Sequence, residues 1–172
     1  MSDRRNPLTV HGLSHVLDVC RQAPGLVEEV LVEGGLTGGE GGQLSALLEG
    51  GAIRWRRVER GELVRAGGGQ ARQAVALLKP YPYLSLPELL AAGTGRSLVV
   101  ALDSITDPGN LGAIIRSAVF FGALGIIITK DRSAEVTAAV VRRSAGAAAV
   151  VRIAKVTNLA RALRELKGAG YW

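Results

Sequence analysis

Two short apolar runs in the second half of the chain, "SLVVALDS" (Ser97 to Ser104) and "GIIITK" (Gly125 to Lys130), restrict the fold more than any other feature. Neither alternates polar with apolar residues, so neither suits a sheet with one wet face. Such runs predict strands buried on both sides, which requires helices above and below the sheet. The segments between them have helical patterns: "NLGAIIRSAVFFG" (Asn110 to Gly122) and "SAEVTAAVVRRSAG" (Ser133 to Gly146). "AAVVRIAKV" follows as a third strand, and "TNLARALRELKGAG" as a third helix with Thr157 as candidate cap. "YW" would open a fourth strand. This alternation predicts right-handed crossovers and a parallel sheet.

The first half also alternates, less regularly. His11 to Ala23 reads as a helix, "EEVLVEG" as a strand, and "GGLTGGEGG", with six glycines in nine residues, as a loop that cannot be a regular element. "QLSALLEGG" is helical, and Ala52 to Val58 is a strand in which Arg54, Arg56 and Arg57 concentrate positive charge. Gln73 to Pro80 forms another strand, ended by its proline. "YPYLSLPELLAAGTG" runs as a linker into a short helix, with Ser85 as cap and Pro87 in the first turn. The expected division is residues 1–80, a linker over 81–95, and 96–172.

In an open α/β sheet the functional site lies beyond the carboxyl ends of the strands, where "ITDPGNLGAIIRSA" (Ile105 to Ala118) begins. Pro108 holds Asp107 extended and forces a turn, Gly109 eases it, and Asn110 is the expected helix cap. Leu111, Ile114, Ile115, Ala118 and Val119 form an apolar stripe. Arg116 lies off the stripe, on the side of Gly112, Ala113 and Phe120. Small residues around an arginine admit a close neighbour, either backbone or a bound phosphate or ribose. A salt bridge from Arg116 to Asp107 is the competing reading.

Other chemistries find little support. No phosphate-binding G-x-x-x-x-G-K-[ST] loop, dinucleotide fingerprint or G-x-S-x-G nucleophile turn is present. His11 and His15 have no third metal ligand beside them, so no metal is expected. Cys20 is the only cysteine, which excludes an internal disulfide and suits a reducing, cytoplasmic setting. No apolar stretch reaches membrane-spanning length. A formal charge of +6 favours a polyanionic partner.

The stretch "LDSITDPGNLGAIIRSAVFFGALGIII" (Leu102 to Ile128), with Asp107, Pro108, Asn110, Gly112, Ala113 and Arg116 at their spacings, resembles the first motif of the SpoU-type RNA ribose methyltransferases of the SPOUT class. Ser144, Gly146 and Ala147 in "RRSAGAAAVV" are similar to the family's next stretch, and the first half resembles its small ribosomal-protein-like RNA-binding domain. The resemblance implies an α/β protein in which an RNA-binding domain precedes a parallel-sheet methyltransferase domain. It also implies methyl transfer from S-adenosylmethionine to a ribose 2′-hydroxyl of rRNA or tRNA, in a homodimer.

Asn110 and Arg116 would be catalytic, with Asp107, Pro108, Gly112, Ser144 and Gly146 shaping the motif. An arginine is too basic to remove a proton, so Arg116 would orient ribose or phosphate and stabilise alkoxide charge. Arg54, Arg56, Arg72 and Gln73 would contact RNA, although members commonly have His-Gln-Gly where this chain has Arg72, Gln73 and Ala74. The family's two C-terminal donor-binding motifs do not occur before Trp172, so a truncated chain that binds the donor weakly or not at all is expected. The alternative is a noncatalytic RNA-binding module; a small-molecule enzyme would rest on fold analogy alone.

Overall fold

The computed structural model describes residues 8–93 and 97–172. The chain divides into two units between Tyr81 and Pro82, each built on its own sheet.

The first unit contains strands β1 (Leu8–His11), β2 (Val27–Glu33), β3 (Trp55–Val58) and β4 (Ala74–Leu78), in the order β1-β4-β2-β3. β4 is antiparallel to β1 and β2, whereas β3 is parallel to β2. Three helices accompany them: α1 (Leu13–Gln22), α2 (Gly39–Glu49) and α3 (Arg60–Gly67). Leu31 and Val75 bury one sheet face against Leu63 of α3 and Ala71. Val30, Val32, Ala74 and Ala76 alternate with them and are buried on the opposite face.

One boundary of this unit shifts and one expectation fails. The expected helix forms as α1, but β1 takes its first residue, His11, because pairing with β4 satisfies the backbone there. The glycine-rich run is not all loop: α2 starts inside it at Gly39. Burial of Leu44 and Leu48 outweighs the poor helix propensity of these glycines.

The second unit contains α4 (Leu86–Ala91), β5 (Val99–Ala101), α5 (Pro108–Phe120), β6 (Gly125–Thr129), α6 (Ala138–Arg143), β7 (Arg152–Val156) and α7 (Leu159–Gly168). All three strands are parallel, in the order β5-β6-β7, and Leu84 adds a parallel bridge to Ala154 beyond β7. This is the expected α/β architecture. Gly125 to Ile128 of the central strand are all buried. On one side Ile127 and Ala154 pack with Leu86 and Leu89 of α4 and with Ala162 and Leu166 of α7. Gly125 is required there, because a Cβ would stand 2.5 Å from Leu89 Cδ1 and 2.7 Å from the Arg152 carbonyl oxygen.

The segment expected as a linker, 81–95, therefore contributes α4 to this core. Ser85 and Glu88 close a capping box at its start. The structure also corrects β5: the strand is three residues long and lies at the sheet edge, with Leu98 50% exposed and Ala101 exposed. Its side chains point to both faces as the sequence requires, but each face meets an open apolar groove. One groove, of about 340 Å³, is lined by Leu98, Val100, Ile114 and Phe121; the other, of about 840 Å³, by Val99, Leu163, Tyr171 and Trp172.

Three further boundaries differ from expectation. α6 is six residues long, because the chain before it is held extended by hydrogen bonds described below. Ala147–Ala149 forms a 3₁₀ turn before β7. Asn158, rather than Thr157, caps α7 by accepting the Arg161 N–H at 2.9 Å. Among the described residues no helix is long and apolar enough to cross a membrane.

Candidate functional site

The strands of the second unit end in three connections: residues 102–107 after β5, 130–137 after β6, and 157–158 after β7. They are tied together. Leu102 N–H donates to the Ile127 carbonyl at 2.9 Å, Ala134 N–H to the Ile105 carbonyl at 2.7 Å, and Lys130 N–H to the Val156 carbonyl at 2.8 Å. Two non-glycine residues in these connections, Ser104 (φ 54°) and Arg132 (φ 54°), adopt the left-handed conformation. Strain of this kind costs about 1–3 kcal/mol per residue and persists only where neighbours enforce it.

The Asp107 turn launches α5. Asp107 is extended before Pro108, as its neighbour's ring demands, and its carboxylate accepts the Asn110 N–H at 2.7 Å. The cap is therefore Asp107, not Asn110: helical geometry starts at Pro108, whose missing N–H costs nothing at a first position. Asn110 falls one turn in, and its exposed side chain is left for other partners.

Arg116 is exposed and has no carboxylate within ion-pair reach among the described residues, so the salt bridge to Asp107 does not form. It stands eight residues beyond Pro108, roughly 12 Å along the helix axis. The close neighbour that Gly112 admits is backbone. A Cβ there would lie 2.6 Å from Arg143 Cβ and 3.1 Å from the Val140 carbonyl oxygen, so α6 rests directly on α5.

This packing brings Arg143, which no sequence pattern singled out, over the motif. Its Nε lies 3.9 Å from where a Gly109 Cβ would be. Ser144 is fully buried; its hydroxyl donates to the Val141 carbonyl at 2.9 Å and accepts from Ala148 N–H at 3.1 Å. Gly146 turns the chain at φ 82°. These two residues thus hold the α6 end that carries Arg143.

A second cluster was also unforeseen. The Tyr83 hydroxyl accepts the Val136 N–H at 2.7 Å, Lys155 Nζ sits 4.1 Å from the centre of the Tyr83 ring, and Lys155 pairs with Glu135. Burial pushes the Tyr83 phenol up to about 12, with the Glu135 carboxylate adding to the effect and the Val136 N–H opposing it. The cluster pins the connection after β6. Its residues come from positions 83, 135, 136 and 155, so only the fold could assemble them.

The first-unit candidates flank β2: the Arg54 carbonyl accepts the Val30 N–H, while the Gln73 carbonyl accepts the Glu33 N–H at 2.8 Å, three residues and about 10 Å further along that strand. Arg56 is engaged at 3.3 Å with Glu29 and 2.6 Å with Glu62, and its hydrogen bond to Glu62 raises its pKa. Arg54 reaches Glu29 only at 3.7 Å and is largely exposed. Arg72 and Gln73 precede β4 at a tight turn, with Gln73 at φ 59°.

An open parallel sheet whose first described crossover leaves through an Asp-capped turn, with an unpaired arginine two turns into the helix, is the arrangement expected from the resemblance to SpoU-type methyltransferases. Residues 97–172 match the SpoU rRNA Methylase family. A 23S rRNA (guanosine-2'-O-)-methyltransferase RlmB from Xanthomonas axonopodis pv. citri is 40% identical over 150 residues, covering 85% of this chain and 60% of that protein. An uncharacterized tRNA/rRNA methyltransferase from Mycobacterium avium is 47% identical over 116 residues, covering 66% of this chain and 38% of that protein. The chain thus spans between about two fifths and three fifths of these relatives' length.

Solved structures agree on the fold. The SpoU methyltransferase AviRb from Streptomyces viridochromogenes superposes with a TM-score of 0.64 at 23% identity, covering 96% of this chain and 60% of that one. An AdoMet-bound rRNA methyltransferase from Sinorhizobium meliloti gives 0.61 at 22% identity, covering 98% and 60%.

Proposed function

We propose that this chain provides the substrate-facing part of an RNA ribose 2′-O-methyltransferase that acts on rRNA or tRNA. The observation that carries the reading is the Asp107 turn. It commits its carboxylate to the helix start and leaves Asn110 exposed, while Arg116 has no acid partner among the described residues. An unpaired guanidinium can hold a phosphate or stabilise charge developing on a ribose oxygen, and it cannot serve as the base. Asn110 and Arg116 are the catalytic residues of this reading. Asp107, Pro108, Gly112, Ser144 and Gly146 shape the backbone around them.

S-adenosylmethionine is the methyl donor in this reading, supported by the AdoMet-bound relatives of the same fold. The two grooves along β5 are walled mainly by apolar side chains, with no acidic side chain among their described residues to meet the donor's ammonium group. We therefore assign none of these residues to the donor. The first unit acts as the RNA-binding domain through Arg54, Arg72 and Gln73, with Arg56 held back by Glu29 and Glu62. The protein works as a homodimer in the cytoplasm.

The test is transfer of a labelled methyl group to rRNA and tRNA by the chain extended to the length of its relatives, compared with its Arg116→Ala form. The reading expects transfer to be lost while RNA affinity changes little. Undiminished transfer by R116A would sink it.

A further inference from the structure

The connection after β6 contains an arginine in a conformation that arginine rarely adopts. Arg132 has φ 54°, a value at which a Cβ is crowded and glycine or asparagine is the ordinary choice. The loop enforces it. Thr129 Oγ1 donates to the Asp131 carbonyl at 2.6 Å and lies 2.8 Å from Ser133 Oγ, closing the turn from both sides of Arg132. Immediately beyond, Ala134 N–H bonds the Ile105 carbonyl, which fixes the turn against the connection that leads to Asp107.

Nothing in the fold accounts for arginine here. Arg132 is exposed and has no acid partner or hydrogen bond among the described residues. Asp103 accepts the Ser104 hydroxyl and Asp107 the Asn110 N–H, and neither pairs with Arg132. A strained residue with no polar partner inside the chain is a candidate for a role toward something outside it.

We propose that Arg132 is a phosphate-binding residue of this site, gripping an RNA backbone phosphate beside the ribose that the Asn110–Arg116 segment receives. The proposal rests on the RNA-modifying reading above and adds a residue to it. The guanidinium binds a phosphodiester through two N–H groups, and the rigid turn holds it at the carboxyl ends of β5 and β6 without loss of loop entropy on binding.

Replacement separates fold from function, because glycine and asparagine suit φ 54° better than arginine does. The experiment compares the parent chain with Arg132→Gly, Arg132→Asn, Arg132→Lys and, as an equal loss of charge elsewhere, Arg164→Ala. Each is melted thermally and titrated with a short fluorescein-labelled single-stranded RNA over a range of potassium chloride concentrations. R132G and R132N should melt no lower than the parent, bind several-fold more weakly at low salt, and lose about 0.7 from the slope of log K against log salt, the contribution of one phosphate.

R132K should keep most of the slope, and R164A all of it. A parental slope in R132G and R132N, an equal loss in R164A, or a lower melting temperature in both R132G and R132N would each overturn the proposal while the RNA reading stands. Failure of the parent chain to bind the RNA would overturn both.

Discussion

Gly112 of α5 lies directly beneath Arg143 of α6, so closely that a methyl group on Gly112 would stand 2.6 Å from the Arg143 Cβ. The contact fixes the distance between the helix that carries Arg116 and the one that ends at Ser144. Interaction between these helices therefore depends on the absence of a side chain.

Gly112→Ala tests that dependence. Alanine favours a helix interior by about 1 kcal/mol, but here it must displace α6 backbone, and overpacking of this kind costs about 1–3 kcal/mol. A net loss of stability is expected in urea denaturation, larger for Gly112→Val. An increase would show that α6 yields freely.

Asp107 gives a second prediction. Removing its capping carboxylate by Asp107→Ala should cost about 1 kcal/mol, whereas Asp107→Asn, also a good cap, should cost a few tenths. The comparison of denaturation midpoints distinguishes a capping role from a need for negative charge.

Tyr83 couples stability to alkaline pH. Its phenol has a higher pKa in the folded chain, about 12, than the ordinary value of 10, so above pH 10 the unfolded chain sheds this proton first. The folded state loses stability as pH rises from about 10 towards 12. Tyr83→Phe should remove that part of the decline. At neutral pH it should cost about 1–3 kcal/mol, because the Val136 N–H loses its acceptor. Thermal melts of both forms at pH 7 and pH 11 check the two effects.

Arg116 should behave oppositely. It is exposed and has no ion pair among the described residues, so Arg116→Ala should shift stability by less than about 0.5 kcal/mol. A larger loss in denaturant titration would mean that this arginine is structural.

The layered organisation of the second unit was legible because its signals are local. Apolar runs mark buried strands, and the Asp107-Pro108 pair forces a turn wherever it occurs. What local signals could not supply was the identity of the cap, which depends on whether Asp107 or Asn110 meets the free N–H groups. They also could not show that β5 sits at an edge, since an apolar run reads the same whether both faces are covered or only available. In the first unit the glycine-rich run enters α2 because burial of Leu44 and Leu48 overrides propensity, which a local pattern does not reveal.

For the site, the sequence alone determined which residues stand in one motif, from Asp107 through Arg116, because they are adjacent along one turn and helix. Tertiary structure alone decided their company. Arg143 is placed over Gly109, the Tyr83–Lys155–Glu135 cluster is assembled, Arg132 is forced into a left-handed turn, and Arg56 is removed from the free cations by Glu62. Contacts between distant segments depend on how the helices and strands pack, and spacing along a chain does not record which distant side chain arrives at a given face.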